Sequence, residues 1–576
     1  VSVVLSEHLP LLASAPDGIQ KLRGLILELA VRGKLVPQDA NDEPASELLK
    51  RIKKERARLE TKGLFRKSKP GTLIGKDCEL LELPIGWVQV RLSDLGEFKS
   101  GKTPSTNNET YWHGAIPWVS PKDMKALTVA ATEDYVTDKA VANGLALIPE
   151  NSVLIVVRSG ILRRTVPVAI NSVPCTVNQD LKALSLAIPD TAQYVQLLVR
   201  GFERLILTTL TKVGTTVESI KFDEFLLQAF PLPPLAEQHR IVAKVDELMA
   251  LCDRLESEQA DAGAAHAKLV TTLLGTLAQS TNAAELTVNW QRLAEHFDTL
   301  FTTEASLDAL KQTILQLAVM GKLVPQDPND EPVSELLKRI SKERVRLEAE
   351  GTCKKSKPMP PADGDAFYSL PNPWNWSALD SLVRVMDSGW SPACIETPSP
   401  RNDVWGVLKT TAVQTFQYLE YENKELPAHL KPRPECEVAA GDILITRAGP
   451  KNRVAISCLV EATRPLLMIS DKIIRFHLVE GGMYEKFVAL CLNAGATAAY
   501  LENAKSGMAA SQMNITQEKL RAAPIPICPT SEQHRIVAKV DELMALCDRL
   551  KTDLAESRTR QDRLATTLIK TALKAA

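Results

Sequence analysis

Residues 96–103 read GEFKSGKT and satisfy G-x-x-x-x-G-K-[ST], the pattern of a loop whose backbone amides cradle phosphates while its lysine reaches the terminal ones. Such a loop must open a helix directly after Lys102-Thr103, because the helix N-terminus holds the anion. Here Thr103 is followed by PSTNNETYW, with a proline at once, two asparagines and no apolar periodicity. The chain also carries a second version of this stretch. At an offset of 288, Ser100-Gly101-Lys102-Thr103-Pro104 becomes Ser388-Gly389-Trp390-Ser391-Pro392, and Gly96 becomes Arg384. What recurs is a turn, SG-x-[ST]-P, without the lysine. Nucleotide binding is therefore not the expected chemistry of this stretch.

Other catalytic signatures are missing from the sequence. It has no N-P-P-[FY] or D-P-P-[YW] of an amino-methyltransferase, no G-x-G-x-x-G, no H-E-x-x-H and no G-x-S-x-G. Its ten cysteines include no C-x-x-C pair, and its eight histidines show no metal spacing. Reduced thiols are expected, with no disulfide scaffold and no metal site. The pair Gln238-His239 recurs as Gln533-His534. It sits at a helix start within repeated framework, where capping or packing is the expected role.

The elements that position these residues follow from the repeat. The 576 residues suggest three to four domains at about 150 residues each. AVRGKLVPQDANDEPASELLKRIKKERARLE (30–60) returns at 318–348 with 26 of 31 positions unchanged. EQHRIVAKVDELMALCDRL (237–255) returns without change at 532–550. Between the two elements of each copy lies a divergent block, 83–235 or 370–529. The blocks share an LP-x-x-W opening (Leu83, Pro84, Trp87; Leu370, Pro371, Trp374), the SG-x-[ST]-P turn and a proline-rich exit. Two copies at this period indicate an intramolecular pseudo-dimer, a frame presenting two different readers.

The repeated elements read as helices. Ile241, Val245, Leu248, Cys252 and Leu255, continuing through Gln259, Ala262, His266, Leu269 and Leu273, follow a 4-3-4-3 spacing. The second copy gives Ile536, Val540, Leu543, Cys547 and Leu550, continuing to Leu564 and Leu568. Such rows argue for a coiled-coil interface, with an ordinary buried helix as the alternative. Gly263 and Gly275 are positions where the first copy could break. The other element reads as a helix near 19–32, a loop, and a charged helix from Pro44 to about 61 with Leu48, Leu49, Ile52 and Leu59 on its apolar stripe. RKSKP (66–70) and KKSKP (354–358) read as linkers. In the blocks, SVLIVV (152–157), DILIT (442–446) and DKIIRFHLV (471–479) read as strands, and Tyr194–Leu210 and Met483–Asn503 as helical stretches.

Net charge is −1, but residues 21–70 hold 14 Lys/Arg against 7 Asp/Glu, whereas the blocks balance at 14 against 14 and 16 against 16. Neutral readers would bind nucleic acid weakly alone, because non-specific affinity comes from neutralising phosphates. No apolar run approaches the roughly 20 residues of a membrane span. The stretch VSVVLSEHLPLL lacks a basic lead, so no signal peptide is read and a cytoplasmic protein is expected.

Taken together, LP-x-GW (83–87), SGKTPS (100–105), YWHGAIPWVSPKDM (111–124), PLPPLAEQHRIVAKVDELMALCDRLE (231–256) and ILQLAVMGKLVPQDPNDEP (314–332) resemble the DNA-specificity subunits of Type I restriction–modification enzymes, over essentially the whole chain. The resemblance implies two mixed α/β (α+β) target-recognition domains joined by long helices in an antiparallel coiled coil, with pseudo-two-fold symmetry. The expected divisions are an N-terminal helical region at 1–80, recognition domains at 81–235 and 370–529, central helices at 236–369 and a C-terminal helix at 530–576. It implies no catalysis by this chain and no cofactor bound to it. The expected partners are double-stranded DNA, two modification (methyltransferase) subunits bringing S-adenosylmethionine, and restriction subunits bringing ATP- and Mg-dependent cleavage. An enzyme reading or a purely structural scaffold are the competing classes. Divergent blocks in a repeated frame argue against the scaffold.

Arginine and lysine read guanine, and asparagine and glutamine read adenine. Loops on a scaffold are the expected carriers. Candidates in the first block are Lys102, Thr103, Ser105, Lys122, Arg158, Arg163, Arg164, Asn178, Gln179 and Lys212. In the second they are Trp390, Ser391, Lys409, Arg447, Lys451, Asn452, Arg453, Ser470, Lys472, Lys505 and Gln512. Alignment of VLIVVRSG with DILITRAG sets Arg158 opposite Arg447 after a strand. Both copies keep that arginine, which suits a framework phosphate contact.

Overall fold

Residues 12–67, 83–212, 214, 217–281, 283–352, 368–400 and 402–575 are described in a computed structural model. Most of the two linker stretches, 68–70 and 354–358, lies outside them. The chain forms two compact units, Val1–Ala262 with Ser557–Ala576, and Gly263–Glu556. Both mix helices with small, mainly antiparallel sheets.

In the first unit the central sheet runs Gly96–Ser100, Leu181–Leu186, Val153–Val156, Val168–Asn171, Thr128–Val129. Residues Val153–Val156 are buried at all four positions, so they show no polar alternation. Val153 and Ile155 face the core shared with the framework helices. Leu154 and Val156 face an outer core with Val119, Ala169, Cys175 and Val177. The second unit repeats the arrangement. Ile443 and Ile445 join one core, while Leu444, Cys458 and Ile473 join another. Each sheet is thus a partition between framework and reader.

The recurring motifs recur because they meet. Val88–Arg91 pairs antiparallel with Ala229–Leu232 and joins the two ends of the first block. Beside this pair the buried Trp87 Nε1 donates to Glu237 Oε2 at 2.9 Å. Gly33, at φ 67°, lies under Pro84 and Trp87, where a Cβ would stand 2.6–2.8 Å from their atoms. Arg240 grips Asp42 at 2.6 and 3.2 Å. In the second unit Asn375–Ala378 pairs with Pro524–Ile527, Trp374 donates to Glu532 at 3.0 Å, and Arg535 grips Asp330 at 2.6 and 3.1 Å. Gln238 and Gln533 donate to the carbonyls of Pro233 and Cys528, a packing role at the helix start.

The long helices run Leu235–Gln279 and Thr530–Ala575, and Gly263 and Gly275 interrupt nothing. The seven-residue row holds through the first turns and lapses at Leu269 and Leu564. Ile241, Val245 and Cys252 are buried and Leu248 and Leu255 pack beside them, but Leu269 is 51% exposed while Val270 is buried. The second copy slips by the same step: Leu564 is 47% exposed and Ala565 buried. The cause is pitch. A straight helix drifts about 20° per heptad, so after four heptads the seven-residue row lies about 80° off the face that began it. The next residue returns to that face.

The row also serves different partners along its length. Ile241, Val245, Ile536 and Val540 complete the cores of their recognition blocks. Leu543, Cys547 and Leu550 join a cluster of helices with Val270, Leu274, Leu310 and Ile314. In the first unit Ala565 and Leu568 pack into the core with Leu22 and Leu25, and Lys21 pairs with Asp562. Among the described residues no helix is long and apolar enough to cross a membrane.

Candidate nucleic-acid interface

The stretch that matched a phosphate loop is a strand followed by a pinned turn. Gly96–Ser100 is extended, and no helix follows Thr103 before the 3₁₀ turn Glu109–Tyr111. Gly101 lies so close to the next chain segment that a Cβ would stand 2.0 Å from the carbonyl oxygens of Val177 and Asn178. Lys102 N donates to Val177 O at 3.1 Å, Thr103 Oγ1 to Gln179 Oε1 at 2.5 Å, and Trp118 Nε1 to Lys102 O at 3.1 Å. The second unit builds the same turn with other side chains. Gly389 presses on Ile469 O, Trp390 N donates to that oxygen at 3.0 Å, and Ser391 Oγ bonds Asp471. Glycine is required here by close approach, not by phosphate. Two candidate stretches that are some 75 residues apart in sequence, the SG-x-[ST]-P turn and the Asn178–Asp180 or Ile469–Asp471 loop, are thereby one feature.

Arg158 adjoins this feature. Its backbone N donates to Asp180 O at 3.3 Å, and its side chain lies 3.9 Å from Asp180. Arg158–Ser159 is also the edge of a three-stranded sheet with Glu218–Ile220 and Thr211–Lys212. The matching sheet in the second unit comprises Ala448–Gly449, Gln512–Asn514 and Ser506–Ala509, and Arg447 N donates to Lys472 O at 2.8 Å. Turn, loop, arginine and small sheet therefore form a continuous surface in each unit. Lys102, Arg158, Arg164, Gln179 and Lys212 are exposed on it, as are Ser391, Lys451, Asn452, Lys472 and Gln512 in the second unit. Arg447 and Trp390 are half-buried. Ser105 accepts the Trp112 indole through its carbonyl. Lys122 lies 4.0 Å from Glu133, and Lys409 lies 3.9 Å from Glu422.

Four candidates build this surface instead of standing on it. Asn178 is buried, and its Oδ1 accepts from Asp180 N at 3.0 Å. Ser470 is buried. The Arg453 guanidinium donates to Gln414 Oε1 and to the carbonyls of Thr410 and Val413 at 2.8–2.9 Å, so a base contact would first have to break those bonds. The Lys505 side chain is 6% exposed, and its ammonium holds Lys451 O and Glu502. Arg163 is intermediate: exposed, yet donating at 2.6 Å to the buried Glu218.

Two features escaped the sequence. Arg475 donates to Asp387 at 2.6 and 3.0 Å and to the carbonyls of Glu435 and Glu437. It lies near the buried Asp442, whose carboxyl burial pushes above its ordinary range. This network fixes the segment carrying the exposed Arg433, whose guanidinium lies over the Trp390 ring, 4.4 Å from its centroid. The string Pro432-Arg433-Pro434 was the available signal. Among the described residues no cluster of three or more His, Cys, Asp or Glu could hold a metal.

A family model described as the Type I restriction modification DNA specificity domain matches residues 84–262. The Type I restriction enzyme EcoEI specificity subunit of Escherichia coli is 46% identical over 562 residues, covering 96% of this chain and 94% of the relative. The EcoAI specificity subunit of the same organism is 34% identical over 574 residues, with 96% and 94% covered. The crystal structure of the HsdS subunit from Thermoanaerobacter tengcongensis aligns with 86% of this chain and 98% of its own at 17% identity, with a TM-score of 0.41.

Proposed function

The chain belongs to the family of Type I restriction–modification DNA-specificity subunits, and from that premise we propose that its two blocks each read one half of a bipartite, asymmetric DNA site. The observation that carries this reading is the repeated turn-and-sheet surface bearing different side chains. The same glycine-pinned turn presents Lys102 in one unit and Trp390 in the other. A frame kept constant while its tips change is what reading two different sequences requires, because phosphate contacts position and base contacts specify. Arg158 and Arg447, kept at the same strand end, suit the phosphate role.

The chain itself supplies recognition and no catalysis. Methyl transfer from S-adenosylmethionine belongs to two modification subunits docked on the repeated helices, and ATP- and Mg-dependent cleavage to restriction subunits. The charge balance of the two blocks supports this division, since neutral readers need partners to complete the clamp on DNA. The test is replacement of residues 83–235 by the corresponding block of a relative with another target. The reassembled complex should change one half of its site and keep the other. A replacement that altered both halves would count against two independent readers.

A further inference from the structure

The second unit holds a cation whose environment differs from that of every other candidate. Arg433 is exposed, and its guanidinium makes no hydrogen bond or ion pair with any described residue. It is nevertheless held. Trp390, packed against the outer core of its unit, places an indole face under it at 4.4 Å. Prolines 432 and 434 flank it and restrict the backbone on both sides. Arg433 N donates to Met468 Sδ at 3.3 Å, and Arg475 clamps the carbonyls of Glu435 and Glu437 just beyond. Asp471 bonds Ser391, beside Trp390, and Asp387 bonds Arg475.

A planar fork of five N–H donors, oriented by stacking and left without acceptors, is pre-organised for a planar acceptor pair. In duplex DNA that pair is the O6 and N7 of guanine in the major groove. A phosphate contact needs only a positive charge and no platform. The frame already repeats an arginine in both units, at 158 and 447. The stack, by contrast, belongs to one reader: the first block has Lys102 in place of Trp390 and no Pro-Arg-Pro string. We propose that Arg433, stacked on Trp390, reads one guanine in the half-site served by residues 370–529. This inference rests on the DNA-reading function proposed above.

The experiment uses the full chain assembled with its modification subunits and a random duplex library, comparing the native chain with R433A, R433K and W390F. Thermal unfolding and subunit assembly check that the variants are intact. R433A and R433K should each lose about tenfold or more of the discrimination at a single G·C position, because the compact ammonium of lysine lacks the planar fork that the indole orients. The other half-site should be untouched, and W390F, which keeps a stacking face, should stay close to the native selection. Equal weakening on all sequences, with a shallower salt dependence, would identify a phosphate contact and overturn the proposal. An unchanged selection in R433A would overturn it as well. A native complex that selects no motif would instead overturn the DNA-reading account, and Arg433 with it.

Discussion

Replacing Trp87 by Phe tests the clamp that seats the first recognition block on its helix. Trp87 is the only donor to Glu237 among the described residues, and Glu237 Oε1 is buried without a partner. Losing a hydrogen bond to a buried carboxylate costs about 1.5–3 kcal/mol. The second unit supplies an internal comparison. Glu532 also accepts from Gln326 at 3.4 Å, so W374F leaves one donor in place and should cost less. Both indoles meet a neighbouring ring edge-on, Tyr194 at 6.5 Å and Phe487 at 6.2 Å, so loss of ring area is similar in the two variants. Burial raises the pKa of both carboxyls above the ordinary 4.5. A carboxyl raised on folding contributes stability that is complete below its unfolded pKa and is lost as pH rises through the folded one. W87F should therefore destabilise more at pH 7.5 than at pH 5, since losing the indole raises that pKa further. E237Q keeps an acceptor for the indole and removes the buried charge, so it should cost less than about 1 kcal/mol and flatten the pH dependence. The assay is hydrogen exchange of amides in 88–91 and 241–252, where W87F should open about ten- to a hundredfold more often. If E237Q cost as much as W87F, and W87F cost the same at both pH values, the buried pair would not be what seats the block.

Three further outcomes follow from the same geometry. The G101A variant, with a Cβ forced to 2.0 Å from two carbonyl oxygens, should abolish selection at one half-site and spare the other, read by the duplex selection described above. Leu269→Glu should change thermal stability by less than about 0.5 kcal/mol, whereas Val270→Glu, placing a charge in the helix cluster, should cost several kcal/mol. ATP hydrolysis by the purified native chain should stay at background and be unchanged in Lys102→Ala, because Lys102 follows a strand and no helix opens directly after Thr103; a measurable native rate that Lys102→Ala abolished would revive the phosphate loop.

The repeat made the architecture legible, because two copies with unchanged motifs reveal which residues must meet before any contact is seen. Trp87 and Glu237 are 150 positions apart, yet both stand in strings kept by the second copy. The helical row was legible for four turns and then misread, since a seven-residue count ignores the drift of a straight helix. Side-chain roles within the blocks were least legible. Arg453 and Lys505 look like any exposed cation in sequence, and only their distant acceptors, the carbonyls of Thr410, Val413 and Lys451, show them to be structural. Arg433 was missed for the converse reason: its significance lies in a ring 43 positions earlier.

The central claim is that one chain reads two different half-sites. Selection from a random duplex library by the chain assembled with its modification subunits, followed by sequencing, tests it most directly. The account predicts a gapped motif with two unlike halves. A complex that forms and selects no motif, or one continuous motif, would contradict it.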